Sequence, residues 1–184
     1  MDRNDAAEPT DTVLLSRIAA GERVAMRAFY ERHHAAAFRF ARARLNGDDD
    51  AAADAVHDAM LEVWRRAEAF SGRSNARTWL LAIVRNKAID RLRRESREVP
   101  SEPDTERPDE ADDPETIIAN AQNAERVRLC LHALGAEHPT VIHLAFFEEM
   151  AHAEIASVTG VPPGTVKSRV HHAKRLLAHC LGRR

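Results

Sequence analysis

MAHAEIASVTGVPPGTVKSRVHHAKRLL, residues 150–177, decides the fold. The run reads as two helices broken by a tight turn. The first spans about Ala151 to Thr159, the turn is Gly160-Val161-Pro162, and the second helix starts at about Pro163. Gly160 can adopt the positive φ that ends a helix. Pro163 suits a first helical turn, where its missing N–H is not needed. Ile155 and Val158 face inward on the first helix, and Val166, Val170 and Leu177 on the second, at spacings of four and seven. The outward face of the second helix carries Lys167, Ser168, Arg169, His171, His172, Lys174 and Arg175, and no acidic residue follows Glu154. A short helix, a glycine turn and a basic second helix form a helix-turn-helix, the device that lays its second helix in the major groove of DNA. A plainer reading, a helical hairpin with a solvated basic face, stays open on pattern alone.

The rest of the chain is read outward from that device. Its 184 residues suffice for one domain or two small ones. Hydrophobic residues make up 44% but aromatic ones only 5%, so any core is mostly aliphatic. Alanine and arginine abound and Val-rich alternating runs are lacking, which predicts an all-α protein. No apolar run approaches the ~20 residues of a membrane span, so no membrane insertion is expected. The polar, acidic start, Met1 to Asp11, is unlike a signal peptide. A cytoplasmic protein follows, with Cys130 and Cys180 read as reduced, structural residues. The net charge of −2 hides a pattern: residues 1–94 sum to +3, residues 95–115 to −8 and residues 116–184 to +3. Two mildly basic blocks are joined by a strongly acidic segment.

Residues 1–11 read as a disordered tail. A helix follows from about Thr12, a candidate cap, to Ala20, ended by Gly21. The next runs from Val24 to Leu45, with Val24, Phe29, Ala37, Phe38, Phe40 and Leu45 as its apolar set, and breaks at Asn46-Gly47-Asp48-Asp49-Asp50. Ala51 to Phe70 is the best amphipathic helix. Val56, Met60, Val63, Trp64, Ala67 and Phe70 form one stripe, while Asp54, Asp58 and Glu62 line the opposite face four apart. Like charges at that spacing cost a few tenths of a kcal/mol per pair. The face is either simply solvated, with acids near a helix N-terminus, or a surface awaiting a basic partner. After the loop Ser71-Gly72-Arg73-Ser74-Asn75, a helix from Arg77-Thr78-Trp79 to about Arg94 buries Trp79, Leu80, Ile83, Val84, Ala88 and Leu92. Lys87, Arg91 and Arg94 form a basic stripe on it, suited to solvent or to a phosphate backbone. Residues 95–115, with four prolines among the acids, read as a linker. Residues 115–134 and Pro139 to about Glu149 read as two further helices, the latter carrying Val141, Ile142, Leu144, Ala145 and Phe146; with the helix-turn-helix they make a four-helix domain.

Glu154-Ile155-Ala156, Gly160-Val161-Pro162 and Gly164-Thr165-Val166-Lys167-Ser168-Arg169 resemble the promoter −35-reading part of bacterial sigma factors. The resemblance is to the small extracytoplasmic-function (ECF) group of the sigma-70 family. It implies two helical domains on a flexible acidic linker: a region 2 like domain over 12–94 and a region 4 like domain over 116–184. It also implies −35 contacts from Thr165, Lys167, Ser168, Arg169, His172 and Arg175. Arginine or lysine would pair with guanine edges or phosphates, and Ser and Thr with phosphates. The acidic helix is similar to the segment that docks on the β′ clamp helices of core RNA polymerase. Asp54, Asp58 and Trp64 match that motif, Glu62 shares its face, and His57 stands where the family usually has Gln. Arg77-Thr78-Trp79-Leu80 and Arg85-Asn86 with Asp90-Arg91 resemble the part that recognises and melts the −10 element. That implies −10 contacts from Arg73, Ser74, Asn75, Arg77, Thr78, Trp79, Arg85, Asn86, Lys87 and Arg91. A flipped base costs a few kcal/mol to unstack and must gain a pocket in return. The resemblance further implies core RNA polymerase (β′ clamp helices and β flap), promoter DNA and an anti-sigma factor as partners, and a role in a stress or envelope response.

Neither a Gly-rich phosphate loop nor a nucleophile–base signature appears, so no enzyme and no cofactor are expected. Ten histidines raise the question of metal, but their spacings fit no ligand set and no CxxC occurs, so none is expected. Two other classes remain open on the sequence: a helix-turn-helix regulator acting without polymerase recruitment, which needs neither the acidic face nor the Arg-Thr-Trp block, and a helical protein–protein adaptor.

Overall fold

The computed structural model describes residues 8–98, 130 and 138–182, and all regular elements among them are helical. The chain divides into two compact units: Met1–Arg91 with Ser157–Gly160, and Leu92–Ala156 with Val161–Arg184.

The first unit is built from α1 (Asp11–Ala19), α2 (Arg23–Arg44), α3 (Asp49–Arg66) with a 3-10 turn at Ala67–Ala69, and α4 (Ala76–Glu98) as far as Arg91. The cap of α1 is Thr10, whose hydroxyl accepts from Val13 N, and not Thr12. Gly21 follows with φ +84, the angle that turns the chain into α2. Asn46 and Gly47 both take positive φ between α2 and α3, and Asp48 then caps α3 by accepting from Ala51 N at 2.8 Å. α1 packs on α2 and α3, and α2 on α3. Leu14, Leu15, Ile18, Phe29, Phe40, Val56, Val63, Leu80, Leu81 and Val84 are fully enclosed. Val24, placed by periodicity in the apolar set of α2, is instead 74% exposed. It lies in the first turn, on the side away from the core, while its neighbour Ala25 is buried. α4 continues past Arg94 to Glu98; residues 99–115 of the expected linker lie outside the described residues.

One polar cluster ties α1 to α2. Arg32 Nη1 donates to Asp11 Oδ1 at 2.6 Å, and buried His33 places Nε2 3.0 Å from Asp11 Oδ2 without the alignment of a hydrogen bond. Burial works to raise the Asp11 carboxyl, but the Arg32 hydrogen bond and the nearness of His33 outweigh it and hold it below its ordinary value. A carboxyl lowered in the folded state adds stability above its unfolded pKa, and that stability is lost as pH falls through the folded value. Asp11→Asn is therefore expected to lower the thermal midpoint at neutral pH, with the gap to wild type closing below about pH 4. Circular-dichroism melts of both chains from pH 7 to pH 3 check this.

The second unit contains α5 (His138–Ile142), a π-helical turn (His143–Phe147), α6 (His152–Thr159) as far as Ala156, and α7 (Pro163–Gly182). The expected helix over 115–134 lies outside the described residues, apart from Cys130, which is helical and buried. The expected helix from Pro139 to Glu149 is α-helical only to Ile142. It widens there: Glu148 N donates to His143 O at 3.2 Å and Met150 N to Leu144 O at 3.0 Å, and Glu149 closes the turn at φ +52. The wide turn leaves Phe146 and Phe147 exposed, although periodicity predicts Phe146 in the apolar set, and buries Glu148 with its Oε1 3.3 Å from His143 Nε2. α5 packs on α7, where Ile142 and Ala173 are buried with Leu176 and Leu177 against them. The reading of the cysteines as reduced does not hold: Cys130 and Cys180 form a disulfide with Cα atoms 5.8 Å apart. Fifty positions separate them, and no spacing rule in the sequence pairs residues at that range.

Candidate polymerase and promoter interfaces

The helix-turn-helix forms as its sequence demands. Gly160 has φ +74, and no neighbouring atom crowds the position a Cβ would take, so glycine is there for its backbone angle. Glu154 accepts from Ala151 N at 2.9 Å, the return half of a capping box that starts α6. Ile155, Val158, Val166 and Val170 are buried. On α7, Lys167, Ser168, His171, His172, Lys174 and Arg175 are exposed, while Thr165 and Arg169 are half-buried. Ser168 Oγ donates to Thr165 O at 2.9 Å, and Lys174 lies over the Phe146 ring, 4.9 Å from its centre. The exposed set is a fan of donors on one helix, able to meet phosphates and base edges.

α3 turns Asp54, His57 and Asp58 to solvent and holds Glu62 and Trp64 half-buried. The acidic face of α3 and the basic stripe of α4, read from the sequence as separate surfaces, partly meet. Arg91 Nη1 lies 2.9 Å from Asp54 Oδ2, and Lys87 Nζ lies 3.4 Å from Glu62 Oε2, with Arg66 Nη1 3.2 Å from Glu62 Oε1. Hydrogen bonding from Arg66, with Lys87 nearby, outweighs desolvation and lowers the Glu62 carboxyl. Pairs this exposed contribute at most about 1 kcal/mol each, so a partner's charge or a phosphate can displace them.

Sequence reasoning missed an apolar hollow of about 390 Å³ beside that acidic face, lined by Arg23, Met26, Tyr30, His57, Met60, Leu61 and Trp64. Tyr30 and Leu61 are large apolar side chains left exposed at its rim. Leu61 lies off the α3 stripe, which was the one available signal; the α2 half was invisible because the hollow needs two helices.

At the start of α4, Arg73 is exposed and Ser74 and Arg77 are half-buried. Asn75 Oδ1 accepts from Thr78 N at 2.7 Å, so its side chain caps the helix. Thr78 is 1% exposed and is not presented at the surface. Trp79, half-buried, packs its ring 5.5 Å from that of Phe70. Arg85 Nη1 lies 3.5 Å from Asn86 Oδ1. Asn75→Ala is expected to destabilise the first unit by about 1 kcal/mol, and Asn75→Asp to retain the cap. Urea unfolding of the two variants measures the difference.

Among the described residues, no group of three or more His, Cys, Asp or Glu could hold a metal ion. Among the same residues, no helix is long and apolar enough to cross a membrane.

Two helical units, one ending in a helix-turn-helix with a basic reading face and the other pairing an acidic helix with a basic one, define a DNA-binding transcription protein. The family described as Sigma-70 region 2 matches residues 29–98, and that described as Sigma-70, region 4 matches residues 124–177. The ECF RNA polymerase sigma factor SigL of Mycobacterium tuberculosis is 37% identical over 168 residues, covering 89% of this chain and 92% of SigL. The chain belongs to the sigma-70 family, in its ECF group. Its fold is similar to that of CnrH, solved in complex with the cytosolic domain of CnrY, with TM-score 0.70 and 25% identity over 94% of this chain and 97% of the other. The sigma factor RpoE of Bartonella quintana, solved in complex with the anti-sigma factor NepR, shares the fold with TM-score 0.70 and 24% identity, over 85% of this chain and 96% of RpoE.

Proposed function

We propose that the chain binds core RNA polymerase in the cytoplasm and directs promoter-specific initiation, as a non-catalytic specificity factor. The observation that carries this reading is the pair of family matches in order, each falling on a charged helical face. In the first unit, Asp54, His57, Asp58 and Glu62, with Trp64 and the apolar hollow, receive the β′ clamp helices. The loop at 71–75 and α4 recognise and melt the −10 element. The acidic segment at 95–115 lies in a basic channel of polymerase in place of nucleic acid. In the second unit, α7 reads the −35 element through Thr165, Lys167, Ser168, Arg169, His172 and Arg175, and the unit meets the β flap. An anti-sigma factor is the further partner, as for the Bartonella quintana RpoE, and the genes served belong to a stress or envelope response.

Reconstitution tests the reading. With core polymerase, the purified chain should co-migrate and start transcripts at a cognate promoter. Binding to duplex DNA without polymerase recruitment, or neither activity, would refute it.

A further inference from the structure

The chain has two cysteines, and this structure joins them across the unit that carries the reading helix. Their Cα separation of 5.8 Å is the span a disulfide needs without backbone movement. Cys130 is buried at 5%, and Cys180 is half-buried near the end of α7. The loop it closes contains α5, the π-helical turn, α6 and every residue of α7 assigned to the −35 element. On the face of α7 turned to α5, Ile142 and Ala173 are buried with Leu176 and Leu177 packed against them. A protein that works beside RNA polymerase sits among reduced thiols, where disulfides are rare and, when they occur, transient and redox-sensing.

We infer that Cys130 and Cys180 are a reversible redox-modification site that takes a small-molecule disulfide as oxidant and sets the stability of the DNA-reading unit. The consequence for DNA rests on the −35 assignment above; the chemistry does not. The Cys180 thiolate, the more exposed, attacks one sulfur of the oxidant, whose S–S bond breaks and releases one thiolate. The Cys130 thiolate then attacks Cys180 Sγ, breaks the mixed disulfide and expels the second thiolate. Two cysteine thiols lose two electrons and two protons, and the oxidant disulfide becomes two thiols. Bridging across fifty residues removes loop-closure entropy from the unfolded state, roughly 10³-fold in the folding equilibrium of that unit. The oxidised chain is the one in which α7 is held; the reduced chain loosens it five residues beyond Arg175.

The full chain is treated with oxidised or reduced glutathione, then assayed by alkylation with mass analysis, by melting, and by transcription with core polymerase. After oxidised glutathione, both cysteines should resist alkylation and the second unit should melt at least about 5 °C higher. Transcription from a −35-dependent promoter near the reduced chain's melting temperature should rise at least about threefold. A Cys130→Ser/Cys180→Ser chain should lose the dependence on glutathione in all three. Thiols that stay alkylatable after oxidised glutathione, or wild-type chains that melt alike in both states, overturn the inference without recourse to any variant. If the melting shift appears but neither form initiates transcription, the sigma reading fails and the redox site stands.

Discussion

Replacing Arg169 with alanine should abolish −35-dependent transcription and leave binding to core polymerase intact. Arg169 lies on α7 directly after Lys167 and Ser168, nearly two turns into the helix that the Gly160 turn aims. Its planar guanidinium matches the two acceptors on a guanine edge, and such a pair is worth about 1–3 kcal/mol. That is roughly 5- to 150-fold at equilibrium, and initiation compounds it where −35 contact limits recruitment. Arg169→Lys separates charge from geometry: a lysine keeps the phosphate attraction and loses the two-pronged pairing, so it should recover only part of the activity. Run-off transcription from promoters with intact and scrambled −35 elements, beside a core-binding assay, measures both sides. If the alanine chain also loses polymerase, the division of labour between the two units is wrong.

Much of this was legible because it is local. The helix-turn-helix follows from one glycine angle, one proline at a first turn and an apolar period, all within 28 residues. The buried stripe of α3 was legible for the same reason, since Val56, Met60 and Val63 each repeat within a turn. What failed to show is non-local. Asp54 meets Arg91 from 37 positions away and Glu62 meets Lys87 from 25, so two stripes that look independent in sequence share one seam. Thr78 and Asn75 resemble DNA-contacting residues by motif, yet one is buried and the other holds the start of α4. The α5 pattern read as an unbroken helix because the apolar period cannot distinguish an α turn from the wider π turn that exposes Phe146 and Phe147. The disulfide was hidden by the same distance rule, with the cellular compartment arguing against it.

The seam decides which acid gives the cleanest test of polymerase docking. Asp54 and Glu62 each hold a cation of α4, so changing either disturbs the first unit as well as any partner. Asp58 is exposed and makes no ion pair among the described residues. A surface change of that kind usually alters stability by no more than about 0.5 kcal/mol. Asp58 sits on α3 beside His57 and one turn before Leu61, both of which line the apolar hollow. Its carboxylate therefore joins a charged rim to an apolar seat, the usual plan of a tight protein contact. Asp58→Lys should weaken binding to core polymerase by about 30-fold or more, because reversal both removes an attraction and opposes a basic partner. The deficit should shrink as salt rises, since exposed charges are screened over about 10 Å at 0.1 M. Melting should match wild type, and −35 duplex affinity of the chain alone should be unchanged. A titration of fluorescently labelled chain with core polymerase at low and high salt gives the result. An unaltered affinity would move the docking surface off the α3 face and leave Asp58 a solvated carboxylate.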